Sequence, residues 1–156
     1  MLISAQLAGV VAREMVKVKD LEEVRVKVAA TLKGEEGIVG DALRVLAIHH
    51  GVAWRSELLV DLAKFCRFQL RQDLIAPRSV DSAVRRLKEL DLLTVEERRR
   101  GSVTDSRTYS ETLIRLRDTE AVRTALLSDP AFARYWYHRQ QTIQDRLSRE
   151  LGEEKS

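Results

Sequence analysis

Residues 79–102 read SVDSAVRRLKELDLLTVEERRRGS, and the reading of this stretch decides the fold. Val80, Ala83, Val84, Leu87 and Leu90 recur at steps of three and four, which predicts an amphipathic helix. Ser79 is a good N-cap residue, and Pro77 stands just before it. The opposite face carries Asp81, Ser82, Arg85, Arg86 and Glu89. Leu92–Glu96 then reads as a strand, Arg99–Ser106 as a polar loop and Thr108–Leu116 as a returning strand. The expectation is a hairpin whose protruding tip is made positive by Arg98, Arg99, Arg100 and Arg107, with Gly101 permitting the turn.

Before this stretch, Ser56–Arg71 reads as a helix with Leu58, Leu59, Leu62, Phe65, Cys66 and Leu70 facing inward. Val52 and Ala53 make a short strand or a bend. Residues 38–50 form a helix that is apolar over most of its circumference, so it belongs at the centre of the core. Gly51 is its natural stop, with His49 and His50 in the last turn. Residues 3–33 carry a stripe of Ile3, Leu7, Val10, Val11, Met15 and Val18. Asp20 and Glu23 resemble a capping box, so a second helix is expected to begin at Leu21. Residues 24–28 alternate with period two, which leaves a strand as the alternative to helix there.

Beyond the hairpin, Asp118–Leu127 reads as a short helix, and Ser128-Asp129-Pro130 as a break and a new start. Phe132, Tyr135, Trp136, Ile143, Leu147 and Leu151 then form a long stripe. The tail, GEEKS, is expected to be disordered. The chain divides into an N-terminal helical arm (1–35), a central domain (36–117) and a C-terminal helical segment (118–156).

The order helix, short bend, helix, helix, strand, loop, strand is that of a winged helix-turn-helix. The fold class expected is therefore mainly α with a small β-hairpin, a winged-helix core flanked by N- and C-terminal helices. In such a fold the helix at 79–90 enters the major groove of DNA. Ser79, Ser82, Arg85 and Arg86 are the candidate base and phosphate readers, since the guanidinium fork matches guanine edges and phosphates. Arg98, Arg99, Arg100 and Arg107 are candidates for the flanking backbone or minor groove. The function expected is sequence-specific binding of double-stranded DNA by a homodimeric transcriptional regulator. Leu7, Val11, Phe132, Trp136, Ile143 and Leu147 are the candidate dimer seam.

The segment SVDSAVRRLKELDLLTVEE, followed by a polar loop and DSRTYSETLIRL, resembles the winged-helix regulators of the MarR type. Asp105-Ser106-Arg107 matches the Asp-x-Arg motif that starts the returning strand in that family. The resemblance covers residues 38–117. It departs from the family pattern in a long helix before the recognition helix and in the sequence RDTEA after Leu116, where the family has Leu-Thr-x-x-Gly. It implies a DNA-binding regulator whose outer helices dimerise, and it names no effector.

Composition narrows the field. A chain of 156 residues with 44% apolar residues buries a real core, and with aromatics at 5% that core is built from Leu, Val, Ile and Ala. Residues 78–117 carry ten basic side chains against seven acidic ones, a modest surplus. Cys66 is the single cysteine, so no disulfide framework exists; it reads as a small buried hydrophobe in a reducing, cytoplasmic setting. No apolar run is long enough to span a membrane. His49 and His50 are neighbours and point about 100° apart on a helix, which rules out shared chelation of a metal. No phosphate-binding glycine loop, zinc-protease motif or nucleophile elbow is present, so neither an enzyme nor a cofactor is expected. Two alternatives stand beside DNA binding. One is a winged helix used as a protein-interaction module in a larger assembly, and the other an RNA-binding winged helix.

Overall fold

The computed structural model describes residues 2–35, 37–72 and 74–153. The elements run α1 (Leu2–Lys33), α2 (Gly37–Ile48), β1 (Val52–Trp54), α3 (Arg55–Phe68), α4 (Pro77–Glu89), β2 (Leu93–Gly101), β3 (Thr108–Leu116), α5 (Thr119–Leu126) and α6 (Pro130–Glu153). The protein is thus mainly helical with one small antiparallel sheet, of strand order β1-β3-β2.

Helix α2 is the centre. Val39, Ala42, Leu43, Val45, Leu46, Ala47 and Ile48 are all buried, and α1, α3, α4, α5 and the sheet close around them. Its end needs two left-handed residues in succession, His50 (φ 60°) and Gly51 (φ 86°). The Gly51 N–H returns to the Leu46 carbonyl at 2.8 Å, which turns the chain sharply into β1. Arg44 anchors this region with a charged fork. Arg44 donates from Nε to Asp129 Oδ2 at 2.7 Å and from Nη2 to Asp129 Oδ1 at 3.1 Å, and it also reaches Asp41 at 2.9 Å. Asp129 is the N-cap of α6, accepting the Phe132 N–H at 2.9 Å. Burial alone would raise the Asp129 carboxyl, but the hydrogen bonds from Arg44 and the Phe132 amide hold it below its ordinary value.

Several boundaries differ from the sequence reading. Helix α1 runs unbroken through Asp20, and residues 24–28 are helical. No Gly or Pro stands near Asp20 to interrupt the ladder, and strong helix formers continue on both sides. Val28 is buried while Val26 is exposed, so the helical period overrides the local alternation. Helix α4 begins at Pro77 with Ala76 as its N-cap; Ser79 is inside the first turn, its N–H bonded to the Ala76 carbonyl at 3.0 Å. Proline at the first position fixes φ and loses no needed donor, and this outweighs the capping preference of serine. Helix α4 ends on Asp91 in the left-handed region (φ 61°), a role more often given to glycine. Strand β2 is longer than expected, reaching Gly101, while β3 spans Thr108–Leu116 as expected, and the loop shrinks to residues 102–107. Gly152 and Glu153 belong to α6, and residues 154–156 of the tail lie outside the described residues, as does the side chain of Ile3.

Phe132 was expected at a dimer seam. It is instead 4% exposed and belongs to the protomer's own core, as does Tyr135, whose ring meets Phe65 edge-on at 5.0 Å. Cys66 is buried as expected.

A Cβ on Gly51 would fall 2.0 Å from Thr119 Oγ1. Gly51→Ala should therefore destabilise the protein by about 2–3 kcal/mol, from strain at positive φ together with this clash. Thr119→Ala in the same background should return only the clash part, as read from urea unfolding midpoints.

Candidate nucleic-acid interface

Helix α4 buries Val80, Ala83 and Leu87 against α2, so the opposite side is fixed outward. Arg78, Ser82, Arg85 and Glu89 lie along the crest of that outer side, with Asp81 and Lys88 beside them. Arg86 does not share the crest. It sits about 100° from Arg85, on the flank, where it borders a depression with Thr31, Gly34, Val39 and Leu90 and pairs with Glu89 at 3.4 Å. Ser79 is half-buried on that same flank. The two serines and two arginines expected to act together are therefore split: Ser82 and Arg85 face out, Ser79 and Arg86 face sideways.

Asp81, beside the crest, is already used. Arg55, the first residue of α3, grips Asp81 with both prongs, at 2.6 and 2.8 Å. That hydrogen bonding holds the Asp81 carboxyl below its usual value. The pair ties the start of α3 to the first turns of α4. It leaves Arg78, Arg85 and Lys88 with no ion pair to any described residue.

The hairpin sorts its arginines by the pleat. Leu93 and Val95 turn one face of β2 toward the core, opposite Leu116 and Ile114. Farther out the same face carries Glu97, which accepts from Ser110 at 3.2 Å and from Thr112 at 2.5 Å, and then Arg99, within 3.5 Å of Thr108. The other face carries Glu96, Arg98 and Arg100. Arg98 pairs with Glu96 at 3.0 Å.

Arg100 has a different task from the one expected. Its guanidinium donates to Glu111 and to Glu57, each at 2.9 Å, and lies 5.1 Å from the centre of the Trp54 ring. Glu111 in turn accepts the Ser56 N–H at 2.9 Å, as well as the Ser56 hydroxyl. Partial burial pushes the Glu111 carboxyl up, yet hydrogen bonds from Ser56 and Arg100 bring it below its ordinary value. Arg100 is thus the bolt that fastens the hairpin to the start of α3, and it is unavailable to an outside anion. Sequence reasoning missed this cluster because Trp54, Glu57, Arg100 and Glu111 are far apart in the chain. The visible signal was only the presence of carboxylates on the partner strand.

Of the expected hairpin contacts, Arg98, Arg99 and Arg107 remain exposed, Arg98 with its pairing to Glu96. Arg107 follows a turn in which its N–H donates to Asp105 Oδ1 at 2.8 Å, and its carbonyl accepts the Ser102 N–H at 2.9 Å. Six residues are thereby closed into a small tip. Of the expected seam, Leu7 and Val11 on α1 and Ile143 and Leu147 on α6 are about half exposed, whereas Trp136 is half-buried, stacked on Phe132 and under Arg123.

No protein-family model matches this chain, and no curated protein matches it significantly. No described helix is long and apolar enough to cross a membrane, and no group of three or more possible metal ligands occurs among the described residues.

Arg100→Ala should free the outer half of the hairpin while the core stays intact. Amide exchange at residues 97–101 and 108–112 should quicken, with that at 42–47 unchanged. In the intact protein the same loosening should come with acid. Glu111 has a depressed pKa, so its contribution is present above the unfolded-state value and is lost as pH falls through the folded one. Hydrogen exchange measured by NMR between about pH 6 and pH 3 checks both expectations.

Proposed function

We propose that this protein is a winged-helix DNA-binding protein that acts as a homodimer, with α4 as the recognition helix and β2–β3 as the wing. The observation that carries the reading is the outer side of α4. A helix held by its buried face presents Arg78, Ser82, Arg85 and Lys88 outward, and the two carboxylates among them are engaged by other arginines, Asp81 by Arg55 and Glu89 by Arg86. The succession α2, β1, α3, α4, β2, β3 and the strand order β1-β3-β2 support the winged-helix assignment. A long hairpin bolted to α3 supplies Arg99 and Arg107 as a second point of contact. In this reading Arg85 and Ser82 meet base edges, Arg78 and Lys88 meet phosphates, and the wing lies on the neighbouring backbone.

The dimer seam is assigned to α1 and α6. A 32-residue helix is about 48 Å long, and only its second half packs on the protomer. Leu7, Val10, Val11, Met15 and Val18 remain more than half exposed in the first half. Such a stripe on a free helix is the mark of a partner surface. The same stripe favours one other reading, a protein-interaction module, in which the arms dock on a different protein and α4 meets no nucleic acid.

Arg85→Ala should weaken binding to a selected duplex by about 1–3 kcal/mol and relax its sequence preference. Arg99→Ala should weaken all duplexes evenly and lower the salt slope by about one. Fluorescence anisotropy titrations at several salt concentrations measure both. Absence of binding to any duplex at low salt would overturn the DNA reading and leave the interaction module.

A further inference from the structure

A second cationic feature shares no residue with α4 or the hairpin. Helices α3 and α6 meet at Phe65, Phe68 and Tyr135 and then diverge, which opens a cleft of about 550 Å³. Lys64 and Arg67 border it from α3, and Arg139 and Arg146 from α6. Asp61 is the single carboxylate of the lining, and it is engaged by His49 at 2.6 Å and by Lys64 at 3.4 Å. Four cations against one carboxylate give the cleft a formal +3, equal to the formal charge of the whole chain.

Some arginines of this molecule are committed to carboxylates and others are not. Arg44, Arg55, Arg86, Arg98, Arg100 and Arg117 each hold a carboxylate. The guanidinium groups of Arg67 and Arg146 hold none among the described residues, and Arg139 lies beside the Tyr135 hydroxyl. Like charges gathered on one cleft repel one another, and a bound anion would relieve that repulsion. The guanidinium fork suits oxyanions bound two-pronged, as phosphates are.

The wall adds a second requirement. His138 and Phe68 have ring centres 4.8 Å apart, and Phe68 and Tyr135 5.1 Å apart, so a run of aromatic rings lines the same space. Rings of this kind stack on planar heterocycles. The volume falls in the usual range for small ligands, about 300–1,000 Å³.

We propose that the α3–α6 cleft binds a nucleotide, with its phosphates on Arg67, Arg139, Arg146 and Lys64 and its base against the His138–Phe68–Tyr135 wall. Because α6 is also an arm of the assigned dimer seam, occupancy of this cleft would bear on how the arms are set. The proposal does not depend on DNA binding by α4, and either reading survives the failure of the other.

Isothermal titration of the full chain with ATP, GTP, tripolyphosphate and adenosine, at about 0.1 M salt, tests it. A nucleoside triphosphate should bind, and tripolyphosphate and adenosine should each bind at least about tenfold more weakly, since each lacks one of the two required parts. Arg67 and Arg146 are exposed, so the double variant R67E/R146E should keep its fold by circular dichroism and lose more than about tenfold in nucleotide affinity. His138→Ala should weaken the nucleotide and leave tripolyphosphate unchanged. No binding by any of the four ligands would overturn the proposal, as would equal affinity for tripolyphosphate and nucleotide. It would also fall if nucleotides fail to bind and R67E/R146E weakens duplex DNA instead, since the cleft would then be a track for nucleic-acid phosphates.

Discussion

The twelve residues of α2 are apolar over so much of their circumference that no single neighbour can cover them. Every other part of the fold answers that constraint. Helix α4 covers one side, α3 another, and the second half of α1 and α5 cover the rest, while the sheet closes the end. Each buried leucine or valine contributes about 1.5–3 kcal/mol, so the outer surfaces of the covering helices are set by what α2 demands of their inner ones. The outward side of α4 is rigid because Val80, Ala83 and Leu87 are completely buried beneath it.

Electrostatics then divides labour among chemically identical side chains. Arg98, Arg99 and Arg100 are consecutive, yet one pairs with a neighbour on its own strand, one stays open, and one is spent on Trp54, Glu57 and Glu111. The pleat sends neighbours to opposite faces, and only Arg100 reaches the start of α3. On α4 the helical period does the same to Arg85 and Arg86. Where carboxylates meet arginine prongs, as at Arg44–Asp129 and Arg55–Asp81, the pair fixes one element against another. On the crest of α4 and in the α3–α6 cleft, Arg78, Arg85, Arg67 and Arg146 hold no carboxylate among the described residues.

The two long helices follow a different rule. Their inner ends join the common core through Val28, Phe132 and Tyr135, and their outer ends leave it. The apolar residues on those outer ends stay exposed and add little to this protomer's core, so α1 is helical with little tertiary packing along its first half. Strong helix formers and the absence of prolines sustain it.

The sequence by itself determined the order of the elements, the central place of α2, the apolar face of α4 and the hairpin that follows it. These depend on periodicity and on residues with strong local preferences, such as Pro77, Gly51 and Pro130, and such signals lie within a few residues of one another. The strand boundary at Gly101 was hidden because the outer hairpin is polar on both faces, so no alternation marks it. The continuity of α1 was obscured by a capping-box pattern that the surrounding helix formers override. Only the tertiary structure decided that Phe132 is core, that Arg100 is a bolt, that Ser79 and Arg86 leave the crest, and that Lys64, Arg67, Arg139 and Arg146 share one cleft. Each of these depends on which distant carboxylate or ring comes within a few ångströms, and that is set by packing around α2, not by any local pattern in the chain.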